Sequence, residues 1–463
     1  MFIKSLQIKN FRLFKSNSVF DVNDLNIPDS ANEGSGLNVL VGENGCGKTS
    51  ILDAISLTLL EYKADSFNIE DFNNPQKPCL VQVFADSVFS FDGFVPKSSY
   101  KGKGFEFEAK LRSRDSRGYL SSILVNDQRY MRADGEIKPE DGKPELRVSV
   151  NNPWRGKRFS ETDILYLDKG RVYQTRSGTY NQTRFDRLME DYGHQFLKQT
   201  PAPPDYDKAL ATKIAPNDNE FLAKAIEKFK EISGEDVRLS TIDNFEPFKT
   251  GFFAINKANN QQIKLDRLGS GYSMIFTLLY SYYLSMQSGK KMILMIDEPE
   301  LHMHPKLQDE FSKFLLELSK EIQIFVTTHS PILLKQLMRN DKIKVMSLVR
   351  DTDISLSAPT EQKLPYLSSN ELNFIAFRYA TEEYHNELYE ELYLQNNGAG
   401  IKAFDSAYFQ SVMHEPANQP WRGTPNQVSI HTHIRNQIHH RSELGVASIV
   451  DIENSIVFMR NCL

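Results

Sequence analysis

Eight residues, GENGCGKT at positions 42–49, constrain this 463-residue chain more tightly than anything else in it. They fit G-x-x-x-x-G-K-[ST] in full, and their setting fits as well. GLNVLV at 36–41 is a short apolar run, and TSILDAI from residue 49 begins a helical pattern. Strand, glycine loop and helix in that order place a ring of backbone N–H groups at a helix N-terminus, where the peptide dipoles add positive potential. Such a loop cradles phosphates. Gly42, Glu43, Asn44, Gly45, Cys46 and Gly47 form the cradle, with Ser50 in the first helical turn. Lys48 can reach the β- and γ-phosphates, and the Thr49 hydroxyl can ligate Mg²⁺. The expected ligands are therefore ATP and Mg²⁺.

The rest of the chain supplies the sheet such a loop needs. KMILMI at 291–296 and IQIFVT at 322–327 are continuous apolar runs, the pattern of parallel strands covered on both faces. Residues 305–318 between them read as an amphipathic helix. The period-2 pattern of SLQIKNFRLF near the start predicts a half-buried strand, and several more such runs between 78 and 150 predict antiparallel strands. ILYL at 164–167 reads as another buried strand. Beyond about residue 360 the pattern turns helical, with 370–394 the clearest stretch. The predicted class is α/β, with an antiparallel β lobe, a helical insert and a C-terminal helical domain. Its expected divisions are 1–62, 63–262, 263–358 and 359–463.

Composition narrows the setting. Hydrophobic residues at 40% and charged residues at 25% suit a soluble globular chain, and the net charge of −5 argues against nucleic-acid binding over the whole surface. The cysteines, Cys46, Cys79 and Cys462, show no C-x-x-C spacing, so a reducing cytoplasm is expected. The start lacks the apolar core of a secretory signal. The stretch 274–286 is too short for the roughly 20 residues of a membrane span and reads as a buried helix.

Asp297 and Glu298 directly follow an apolar strand, at the carboxyl end where open α/β sheets bind ligands. Asp297 is the expected Mg²⁺ partner and Glu298 the expected base for an attacking water. LGSGY at 268–272, before a long apolar helix, resembles the signature of ABC ATPases, and His329 in VTTHSP stands at the position of their switch histidine. Together with IKNFRLF, GENGCGKTSILDAI, MIDEPELHMHP and FVTTHSPILL, these segments resemble the SMC/RecF/OLD-like branch of ABC ATPases. In that branch Leu268, Ser270 and Gly271 would contact the nucleotide of a partner head, so the resemblance implies a homodimer of heads. It also implies a Q-loop glutamine, for which Gln174 is the candidate, and it accounts for His302 and His304 as family pattern rather than metal ligands.

Three features narrow the branch further. No heptads long enough for a coiled-coil arm occur, and no glutamate block of a Toprim nuclease follows His329. The tail, with NELNFI at 370–375 and HIRNQIHH at 433–440, resembles the standalone ATPases of anti-phage modules. Those of Septu (PtuA-like) work with a separate HNH nuclease and those of PARIS (AriA-like) with a Toprim protein. A separately encoded nuclease subunit is thus the expected partner. Arg435 and His440 also fit the R-x4-H spacing of HEPN ribonucleases, the alternative being a helix end that caps or pairs with neighbours such as Glu443. Between 97 and 187 lie 20 basic and 13 acidic residues, including Arg112, Arg114, Arg117, Arg155 and Arg158. That surplus suits either DNA phosphates or a charged sheet edge. A RecF-like repair ATPase, binding DNA with no effector, is the competing reading.

Overall fold

A computed structural model describes residues 1–59, 68–90, 102–111, 118–126, 128–133, 136–139, 162–167, 220–234, 253–256, 261–264, 270–287, 289–358 and 361–463. These residues form two compact units, Met1–Ser357 and Ala358–Leu463.

The first unit opens with strands β1 (Ile3–Lys9), β2 (Phe20–Val22) and β3 (Leu37–Gly42), followed by helix α1 (Lys48–Leu59). Next come β4 (Cys79–Ala85), β5 (Gly104–Leu111), β6 (Gly118–Val125), β7 (Gln128–Ala133), β8 (Glu136–Pro139) and β9 (Thr162–Leu167). Helix α2 (Glu220–Ser233) and the hairpin of β10 (Phe253–Asn256) and β11 (Gln261–Lys264) precede helix α3 (Ser270–Gln287). The unit closes with β12 (Lys291–Asp297), helix α4 (Pro305–Leu318), β13 (Gln323–Thr327), helix α5 (Pro331–Leu337), β14 (Lys344–Arg350) and β15 (Ile354–Ser357).

Two sheets organise these elements. One runs β15-β14-β3-β13-β12-β9, parallel throughout except for the edge strand β15. Every residue of β3 and β13 is buried, which is why both read as unbroken apolar runs. The other, β2-β1-β4-β5-β6-β7-β8, is antiparallel. There β4 alternates buried and half-buried positions, as a strand with one solvated face should. A shared core joins the sheets and α1, with Phe11, Leu52, Ile55, Val81, Val83, Met295 and Phe325 among its members. The fold is the expected α/β head with an antiparallel lobe.

The second unit is mainly helical, with helices α6 (Ser369–Phe377), α7 (Glu382–Gln395), α8 (Ile401–Phe404), α9 (Ile430–His439), α10 (Arg441–Leu444) and α11 (Ile449–Cys462). The helical stretch expected over 370–394 is helical and is divided into two helices, α6 and α7. Arg378 adopts a left-handed conformation (φ 53°) that ends α6, and the Thr381 hydroxyl accepts from the Tyr384 N–H to start α7. A short hairpin, Gln419–Trp421 with Thr424–Val428, interrupts the helices and was not foreseen from sequence. No helix among the described residues is long and apolar enough to cross a membrane.

Candidate functional site

The loop between β3 and α1 takes the form its glycines require. Gly42, Gly45 and Gly47 have φ of 138°, 75° and 103°, values that side chains rarely adopt. At Gly42 space forbids a side chain as well, because a Cβ there would overlap the carbonyl oxygen of Leu348 on β14. Lys48 is only 4% exposed. Its ammonium folds back into the loop, donating to the carbonyls of Gly42 (2.9 Å) and Glu43 (2.8 Å). Burial lowers its pKa, partly offset by Cys46, Glu298 and Asp297. A cation held by neutral carbonyls at the head of a helix is poised to exchange them for phosphate oxygens.

Across the loop stands the carboxylate pair at the end of β12. Asp297 is fully buried, and the Thr49 hydroxyl lies 3.1 Å from each of its oxygens. The Thr327 hydroxyl donates to Asp297 Oδ1 at 2.5 Å and accepts from the Glu298 N–H at 3.0 Å. This set of oxygen donors suits Mg²⁺, a hard cation that prefers carboxylate and hydroxyl ligands. The Lys48 ammonium and the loop amides suit a polyphosphate. The residues present therefore fit a Mg²⁺–nucleotide.

Glu298 sits in the left-handed region (φ 47°, ψ 62°) immediately before Pro299. Strain of this kind costs about 1–3 kcal/mol and persists where the surroundings enforce it. Here Thr327 supplies both its carbonyl (3.2 Å) and its hydroxyl to the Glu298 N–H. The turn brings Glu298 Oε1 within 3.8 Å of His329 Nε2. Both side chains remain partly accessible, at 16% and 29%. A carboxylate and an imidazole side by side, next to a metal-binding pair, can share the proton of a water held between them.

The structure thus brings together Lys48, Thr49, Asp297, Glu298 and His329, which come from three separate segments of the sequence. Ser270 and Gly271 lie in the first turn of α3, with Gly271 buried. Leu268, Gln174 and the arginines at 112, 114, 117, 155 and 158 fall outside the described residues. His304 caps α4, its Nδ1 accepting from the Lys306 N–H. Arg435 lies within α9, while His440 terminates that helix (φ −130°, ψ 48°). Burial lowers the pKa of Arg435.

Sequence reasoning missed three participants. Thr327 binds both members of the carboxylate pair. Glu300 accepts from the His329 N–H (2.6 Å) and the Thr328 hydroxyl (2.9 Å). Arg12, in the turn after β1, bridges Asp53 of α1 (2.5 Å) and Asp71 (2.9 Å), and the Tyr166 hydroxyl donates to Asp53 at 3.1 Å. The available signals were the first threonine of VTTHSP, the second glutamate of DEPE and the arginine of KNFRLF. None reveals its partner without the fold.

Known proteins resemble the chain over most of its length. An OLD nuclease of Thermus scotoductus is 26% identical over 76% of this chain and 65% of its own length. The endonuclease GajA of Bacillus cereus is 20% identical over 71% of the chain and 58% of its own. The Septu protein PtuA of Bacillus mycoides is 22% identical over 85% of the chain and 47% of its own. The chain therefore spans less than two-thirds of the length of these curated relatives. The likeness agrees with the expected SMC/RecF/OLD-like ATPase of defence systems. Residues 37–335, from β3 through most of α5 and well over half of the chain, match the model of the family described as "AAA domain, putative AbiEii toxin, Type IV TA system", and the chain belongs to that family.

Proposed function

We propose that this chain is a cytoplasmic ATPase subunit of an anti-phage defence complex, hydrolysing ATP at paired heads and thereby controlling a separately encoded nuclease. The observation that carries the hydrolytic part is the turn at Glu298, which holds its carboxylate 3.8 Å from His329, next to the Thr49–Asp297 pair. Mg²⁺, when bound, would neutralise phosphate charge and orient the γ-phosphoryl group. Thr49 and Asp297 are the residues to hold it. Lys48 would leave its two loop carbonyls for phosphate oxygens. Glu298 would take the proton of the attacking water, and His329 would read the γ-phosphate and keep that carboxylate in place. The Ser270 and Gly271 amides, at the start of α3, would complete the site of a second head.

Glu298→Gln tests this reading. The amide cannot accept the proton, so turnover should fall at least about 100-fold, the usual scale of general-base catalysis. ATP should stay bound, and size-exclusion chromatography should show the associated form. Unchanged turnover would remove Glu298 from the role of base.

Similarity to the Septu protein PtuA supports a partnered role. Co-purification with the product of a neighbouring nuclease gene would establish it. A chain that instead binds DNA alone, with affinity falling steeply between low and physiological salt, would favour the RecF-like reading.

A further inference from the structure

Within the candidate site one carboxylate has no part in the scheme above. Glu300 lies in the short helix Pro299–His302, two residues beyond Glu298. Its Oε1 accepts from the backbone N–H of His329 at 2.6 Å and from the Thr328 hydroxyl at 2.9 Å. Its Oε2 is buried and has no hydrogen-bond partner among the described residues. A buried carboxylate oxygen without a donor is costly, and native folds rarely keep one without a use. Burial raises the pKa of Glu300, and the nearby Glu298 adds to the rise. The Thr328 hydroxyl also accepts from the Ser330 N–H (2.9 Å), and the Ser330 hydroxyl caps α5. Through a single oxygen, Glu300 thus grips the peptide that carries His329 and the threonine that shapes the turn behind it.

We propose that Glu300 is a positioning residue that couples the Glu298 turn to His329, so that the two move as one unit when a nucleotide enters. The inference rests on the reading of Glu298 and His329 as the hydrolytic pair. The geometry explains why an acceptor is required here. The His329 N–H follows the last residues of β13 and has left the sheet ladder, so a side chain must satisfy it. Only a side chain anchored on the Glu298 turn ties its placement to the carboxylate. A misplacement of about 1 Å between reacting groups can cost around 100-fold in rate.

The experiment compares the full chain with Glu300→Asp, Glu300→Ala, Glu300→Gln, His329→Ala and the Glu300→Ala/His329→Ala double variant. Two quantities are read: kcat at saturating Mg²⁺–ATP, and the ratio of dissociation constants for ADP and a slowly hydrolysed ATP analogue. Aspartate is one methylene too short to reach both donors. It should lower kcat about 10- to 100-fold and shrink the preference for the analogue, as His329→Ala does. Glutamine keeps an acceptor oxygen and should recover most of both. The double variant should be no worse than His329→Ala alone, because Glu300 acts through His329. Full activity in Glu300→Asp overturns the proposal. So does a double-variant loss equal to the product of the single losses. A wild-type chain that turns over no ATP would refute hydrolysis, while the nucleotide preference would still decide the role of Glu300 by the same criteria.

Discussion

Replacing Lys48 by alanine asks most directly whether the loop at 42–49 serves a polyphosphate. The ammonium is buried and makes two hydrogen bonds to carbonyls, at 2.9 and 2.8 Å. On binding, those bonds would be exchanged for contacts to phosphate oxygens, which carry full negative charge. Hydrogen bonds between ionised partners are roughly twice as strong as neutral ones. With about 1.5–3 kcal/mol for a bond to a charged group and about 1 kcal/mol more for each bond made fully ionic, the exchange of two bonds yields about 2–3 kcal/mol. That is about 30- to 150-fold in Kd. Alanine should weaken Mg²⁺–ATP binding by this factor in a titration with a fluorescent nucleotide, while leaving the circular-dichroism spectrum unchanged. The buried ammonium also has a lowered pKa. Wild-type affinity should therefore hold at neutral pH and fall as pH rises, at lower pH than for an exposed lysine, because only the charged form pairs with phosphate. The alanine variant should show no such decline. Binding within about threefold of wild type, or an identical alkaline decline in both proteins, would refute the assignment.

Two further outcomes test the packing of each unit by itself. Arg12→Ala leaves Asp53 and Asp71 without their common partner, which should cost about 2–3 kcal/mol, somewhat less than the about 3–5 kcal/mol of a fully buried pair because the guanidinium is about a third exposed. Adding Asp53→Asn should restore part of that loss in urea unfolding followed by circular dichroism; a double variant weaker than Arg12→Ala would contradict it. In the second unit, His385 and His431 share the Ser455 hydroxyl at 2.9 and 2.7 Å, and burial pushes their pKa values down to about 3 and about 4. Folded, they stay neutral where the unfolded chain would protonate them, so stability is full above the ordinary histidine value of about 6.5 and is lost as pH falls towards 4. Hydrogen exchange in α7 and α11, corrected for intrinsic rate, should accelerate over that window, and His431→Gln should blunt the change.

What could be read from the sequence follows from how local each cause is. The strands at 36–41, 291–296 and 322–327 showed themselves because burial on both faces demands an unbroken apolar run. The strand at the N-terminus showed itself because one wet face demands alternation. The glycine loop was legible because its backbone needs positive φ at fixed places. The break at Arg378 was not, since LNFIAF carries a helical pattern up to it and only the left-handed conformation there ends the helix. The hairpin at 419–428 turns through Arg422 and Gly423, both at positive φ, and an arginine gives little warning of such a turn. Thr327 and Glu300 stayed hidden because each is defined by a neighbour in space.

One alignment of two strands produces that neighbourhood. β12 and β13 pair in parallel with Asp297 opposite Thr327, so the threonine reaches the carboxylate and His329, two residues on, reaches over Glu298. A slip by one residue would turn Thr327 to the other face and dissolve the site. The register is held at its far end, where Gln323 opens β13 opposite Ile293. The buried Gln323 amide accepts from the Ile3 N–H (2.7 Å) and donates to the Ile3 carbonyl (2.6 Å) and the Asn26 carbonyl (2.8 Å). Ile3 belongs to β1 of the antiparallel sheet. The β lobe is therefore part of how the site is built, because it fixes the start of the strand whose far end carries Thr327 and His329.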